Sequence, residues 1–69
     1  MTFEEMKIYD KIYAMCINNA LENGHMPKGL KITFDDYFGF TKVMREAIRD
    51  LGLEIVLAFE PYVLKVIDK

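Results

Sequence analysis

Residues 40–55, "FTKVMREAIRDLGLEI", read as a helix that stops at a glycine and runs directly into a strand. From Tyr37 to Leu51 the apolar residues Tyr37, Phe40, Val43, Met44, Ala47, Ile48 and Leu51 recur at helical spacing, the stripe of an amphipathic helix lying on a core. Gly52 ends it, since glycine readily takes the left-handed conformation found after helix C-termini. Gly39 can split the segment into a short helix and a longer one, with "GFT" as the turn. Beyond Gly52, "LEIVLAF" and "YVLKVI" are rich in β-branched and aromatic residues, which suit strands. Glu60-Pro61 lies between them, and proline cannot donate to a ladder, so a C-terminal β-hairpin is expected. Leu53, Ile55, Leu57 and Phe59 share one face, with Val56 and Ala58 on the other. A sheet this small normally keeps one wet face, so the second apolar face calls for a cover.

Upstream, Thr2 and Glu5 have the spacing of a capping box, and the helix they open runs to about Asn23, with Gly24 as its stop. At 100° per residue, Glu4, Lys7, Lys11, Asn18 and Glu22 crowd one narrow arc. Phe3, Met6, Ile8, Tyr9, Ile12, Tyr13, Met15, Cys16, Ile17, Ala20 and Leu21 fill well over half of the circumference. A surface helix shows an apolar stripe of about 100° or somewhat more. This helix is therefore either central to the fold or part of an interface. "GHMPKG" (24–29) is a turn, and "LKITF" (30–34) alternates Leu30, Ile32 and Phe34 against Lys31 and Thr33 as a short strand. Thr33 or Asp35 is placed to cap the helix that follows.

The expected fold is thus a single α+β domain over residues 1–69: a long N-terminal helix, a short strand, a second helix split near Gly39, and a C-terminal β-hairpin. Over residues 30–67 the order of elements resembles a minimal winged helix, whose short strand pairs with its wing. The resemblance departs where the small residue four positions before the helix-turn-helix glycine, here Gly39, is Asp35. Two helices on a small antiparallel sheet fit the same pattern.

Composition narrows function by exclusion. One cysteine, Cys16, rules out an internal disulfide, and Cys16 with His25 is too little for a structural zinc site, so neither metal nor cofactor is expected. No run reaches the roughly 18 apolar residues of a membrane span. The opening "MTFEEMK" carries acids where a signal peptide carries positive charge. A cytoplasmic location without membrane contact is the expectation. The net charge of −2 and pI near 5.2 weigh against a chain that coats nucleic acid.

Asp35 and Asp36 are adjacent, point about 100° apart on a helix and suit the positive end of its dipole. His25 has no second histidine, and Cys16 sits mid-helix on the apolar side, where a thiol behaves as a small hydrophobe. No catalytic residues emerge, and an enzyme is not expected. Phe38, Lys42, Arg45 and Arg49 align on the face opposite the core stripe, an arrangement that grips phosphates and stacks on bases. Asp35, Glu46 and Asp50 flank that row, so a self-neutralised solvent face competes with an anion-binding one. Met6, Tyr9, Tyr13 and Ile17 form an aromatic and methionine stripe suited to a protein interface.

These readings converge on a small binding protein acting through protein contacts, most simply a homodimer or a complex with another protein. Small acidic chains of this size are frequent among inhibitors and accessory proteins of phages and mobile elements, which sets that class as the expectation. The alternative is a winged helix-turn-helix DNA-binding regulator using Lys42, Arg45 and Arg49.

Overall fold

The computed structural model describes residues 1–68. It is a small α+β fold in the order α1 (Phe3–Asn23), β1 (Gly29–Thr33), α2 (Phe34–Phe38), α3 (Lys42–Asp50), β2 (Glu54–Ala58) and β3 (Leu64–Ile67). The capping box that opens α1 is formed as expected. The Glu5 backbone N–H donates to Thr2 Oγ1 at 3.1 Å, and the Thr2 N–H donates to Glu5 Oε1 at 3.1 Å. Gly24 closes the helix at φ 78°, its N–H reaching the Ala20 carbonyl at 2.8 Å. The helix is about 31 Å long at 1.5 Å per residue. It buries Glu5, Ile12, Cys16 and Asn19, which repeat on one face.

β1 is the centre of the fold. It enters at Gly29, where a Cβ would stand 2.9 Å from the Glu54 carbonyl oxygen, so only glycine lets the neighbouring backbone approach this closely. Leu30 and Ile32 are almost fully buried, and they join Ile12, Cys16, Tyr37, Met44, Ile48 and Leu53 in one core. The chain passes from β1 into α2 without a loop. Gly39 then divides the next segment as expected, and Thr41 caps α3 by accepting from the Met44 N–H at 3.3 Å. Tyr37, Met44 and Ile48 of the expected stripe are buried, with Phe40 and Leu51 packed beside them. Val43 is instead 56% exposed, at the edge of the stripe.

Three expectations are corrected. The strand order is β2-β1-β3, with β1 parallel to β2 and antiparallel to β3. β2 and β3 therefore form no hairpin, and the sheet is mixed rather than antiparallel. The reason lies at Thr33. Its hydroxyl donates to the Glu60 carbonyl at 2.8 Å and accepts from the Val63 N–H at 2.9 Å, while its own N–H reaches the Val63 carbonyl at 3.1 Å. These bonds hold the 60–63 connection against the end of β1 and lead β3 down the free side of that strand. Neither strand is paired as a wing, so the sheet lacks the pairing of a winged helix. The same bonds occupy the Thr33 side chain, which makes no cap bond to α2, and Asp35 lies inside that helix.

The third correction concerns the faces of the sheet. Cross-strand register aligns Leu30 with Ile55 and Val66, and Ile32 with Leu57 and Leu64, on the core side. The row behind them is Val56, Lys31 and Lys65. Two lysines thus occupy the middle of the second face, while the Thr33 and Ala58 row at its end is buried.

Candidate functional site

The buried residues of α1 fix its orientation and leave a second apolar face outward. Phe3, Met6, Tyr13, Ile17 and Leu21 lie within a 100° arc centred well away from Ile12 and Cys16, and they are 69, 52, 48, 39 and 79% exposed. Asp10 is the one charge in that arc. Tyr9 leans toward the core, half-buried, with its ring stacked on Tyr13 at a centroid distance of 6.4 Å. It braces Tyr13 more than it presents itself. Lys7 lies 4.5 Å over the Phe3 ring and covers one end of the stripe. Three of the four interface residues read from the sequence are therefore exposed along one line. Phe3 and Leu21 extend that line at both ends.

Phe38, Lys42, Arg45 and Arg49 line a single surface depression of about 390 Å³, together with Tyr37 and Glu46. The helix break sets the tail of α2 beside α3, so the ring and the cations share one face across two elements. Lys42 pairs with Glu46 at 3.9 Å, both well exposed. Among the described residues, Arg45 and Arg49 have no acidic partner within 4.0 Å. Beyond Phe38 the aromatic surface continues. Its ring centroid is 4.7 Å from that of Phe34, which stacks on Phe59 at 5.7 Å, and Phe59 is 86% exposed.

A third concavity, of about 540 Å³, was not read from the sequence. Glu4, Glu5 and Ile8 of α1 line it along with Asp35 and Asp36 of α2, Phe40, Thr41, Val63 and Leu64, over Ile32. At its edge the Glu5 carboxylate accepts from the Thr41 N–H at 2.7 Å, the Thr41 hydroxyl at 2.9 Å and the Thr2 N–H. The Thr41 N–H in particular holds this carboxyl below its ordinary range, against the opposing effect of burial. Glu5 thereby ties the start of α1 to the start of α3. The capping box was visible in the sequence, but the bond to a residue 36 positions away had no local signal.

His25 is exposed, as expected of a turn histidine, and its Nδ1 stands 3.5 Å from Asp68 Oδ1. Asn19 Nδ2 donates to the same Asp68 carboxylate and to the His25 carbonyl. These contacts knit the 24–28 turn to the end of β3. Cys16 is wholly buried, and desolvation pushes its thiol pKa up, which disfavours the nucleophilic thiolate.

Compared with known families, curated proteins and solved structures, the chain matches none. The geometry alone therefore carries the functional reading. Among the described residues no helix is long and apolar enough to cross a membrane, and no three His, Cys, Asp or Glu side chains group as metal ligands. What the surface offers is an apolar helix face, a basic and aromatic depression, and an acidic cleft.

Proposed function

We propose that this chain is a non-enzymatic binding protein that pairs with a second copy of itself through the outward face of α1. The observation that supports this is the exposed line of Phe3, Met6, Tyr13, Ile17 and Leu21, set apart from the face that fills the core. Apolar side chains on one element this long are costly to leave wet, and soluble monomers rarely expose a contiguous patch of more than a few hundred Å². A two-fold pairing hides the line with one self-complementary surface. The projected face of such a helix is roughly 300 Å², from its length and a diameter of about 10 Å, well under a standard interface, so weak association is expected.

Light scattering coupled to size-exclusion chromatography tests the proposal across low to high micromolar concentration. The unmodified chain should pass from monomer to dimer over that range. Tyr13→Glu should remain a monomer with an unchanged melting curve, because Tyr13 is half-exposed and outside the core. A monodisperse monomer of the unmodified chain at high micromolar concentration overturns the proposal.

A further inference from the structure

From sequence alone, the basic row on α2 and α3 reads as a solvated, self-neutralised helix face. Its geometry adds an open cationic surface beside exposed rings. Of the three cations only Lys42 has an acidic partner within 4.0 Å, while Arg45 and Arg49 line the same concave surface without one among the described residues. The aromatic side of this surface is larger than a single ring. Phe38, 50% exposed, stands edge-on to the buried Tyr37, with ring centroids 5.3 Å apart, which fixes its position at the depression. Phe34 and Phe59 continue the series, 38 and 86% exposed. Exposed aromatics in sequence beside arginines are an expensive way to build a solvent face, and a direct way to build a platform for stacked, anionic ligands.

We propose that this face binds single-stranded nucleic acid, with bases stacking on the exposed rings of Phe38 and Phe59, braced by Phe34, and backbone phosphates held by Arg45, Arg49 and Lys42. Charge complementarity selects an anion, and the rings select one that also carries flat apolar faces. The length of the series selects a strand over a lone nucleotide. Phe34 packs between the other two rings, at centroid distances of 4.7 and 5.7 Å, so the more exposed Phe38 and Phe59 stand at the two ends of the series and offer stacking surfaces for more than one base. A duplex is a poorer fit, because its bases are already stacked and cannot lie on rings. The sheet also supplies no paired wing beside α3. This binding is independent of pairing through α1, whose outward face shares no residue with the depression.

Fluorescence anisotropy of a labelled twelve-nucleotide oligothymidine, titrated with the full chain at several salt concentrations, tests the proposal. Binding should be detectable at low salt and fall steeply as salt rises. With about three phosphates neutralised, a slope near −2 in log affinity against log salt is expected, or roughly 100-fold per tenfold salt. Arg45→Glu with Arg49→Glu should abolish binding. Phe38→Ala should weaken it about tenfold or more with the salt slope retained, since stacking on an aromatic side chain supplies a charge-independent part of the affinity. Phe59→Ser repeats the test at a ring too exposed to matter for folding, and melting curves establish that each variant is folded. A duplex of the same length should bind more weakly than the single strand. No binding at low salt overturns the proposal. So does equal binding of strand, duplex and inorganic polyphosphate that neither phenylalanine substitution changes, which would mark a generic anion patch.

Discussion

Glu5 joins the starts of two helices. Its two carboxylate oxygens accept three hydrogen bonds from Thr2 and Thr41, and Thr41 in turn caps α3. Replacing the carboxylate would loosen both helix starts at once. Charge matters here, because bonds to an ionised acceptor are stronger than those to a neutral one. The folded-state pKa lies below the ordinary value of 4.5, so between those two values the unfolded chain takes up the proton first. The stabilisation is therefore fully present above about pH 4.5 and is lost as pH falls through the folded value. Thermal melts followed by circular dichroism should show Glu5→Gln melting several degrees lower than the unmodified chain at pH 7. That gap should narrow steadily below pH 4.5. A gap that stays constant down to pH 3 would show that the charge of Glu5 contributes nothing. The other carboxylates also titrate in this range, and the comparison between the two chains cancels them.

At the scale of elements, the sheet contains a mismatch that can be repaired. Lys31 and Lys65 stand directly opposite one another on β1 and β3, and neither has an acidic partner within 4.0 Å among the described residues. Like charges directly opposite in a sheet are destabilising, whereas an opposite pair contributes roughly 0.2–1 kcal/mol. Lys65→Glu should raise the melting temperature by a few degrees at low salt, with the gain shrinking in high salt. An unchanged or lower melting temperature would argue against this register. The example also marks how far the sequence could be read. Both ends of α1, the split at Gly39 and the stop at Gly52 were legible, because caps and glycines act on their immediate neighbours. The strands themselves were legible from β-branched content. Their partners were not. The composition of "LEIVLAF" and "YVLKVI" suits an edge strand on either side of β1 as well as it suits a hairpin. The choice rests on the bonds from Thr33 to Glu60 and Val63, some thirty residues away. The same limit hid the acidic cleft, which assembles from four separate segments. The outward face of α1 was legible because one helix holds all of it, and the row Lys42, Arg45, Arg49 for the same reason. The extension of that row through Phe34 to Phe59 needed the tertiary structure.

For the whole molecule, the small net charge conceals surfaces of opposite sign. The cleft is lined by four carboxylates, whereas the depression on α2 and α3 carries three cations and one carboxylate. Within α1 itself, Glu4, Glu5 and Ile8 line the cleft, away from the arc of Phe3, Met6, Tyr13, Ile17 and Leu21. A second copy on that arc would leave the cleft's α1 residues uncovered. The arc also favours one direction of pairing. In a parallel two-fold arrangement each residue meets its own copy, so Asp10 would face Asp10 inside an apolar seam. In an antiparallel arrangement centred on position 12, Phe3 meets Leu21, Met6 lies near Ile17, and Asp10 meets Ala14. Tyr13 then sits beside the two-fold axis, the most enclosed place in the seam, which suits an aromatic anchor. Cysteine cross-linking separates the two. Phe3→Cys and Leu21→Cys are made in separate chains, both at well-exposed positions, and the native Cys16 is buried out of reach. Under mild oxidation at high micromolar concentration, mixing the two variants should yield a disulfide-linked heterodimer. Either variant alone should cross-link poorly, because like positions in an antiparallel pair lie roughly 27 Å apart at 1.5 Å per residue, far beyond disulfide reach. Efficient cross-linking of Phe3→Cys alone would reverse the direction of pairing. No cross-link in any of the three samples would remove α1 as the seam.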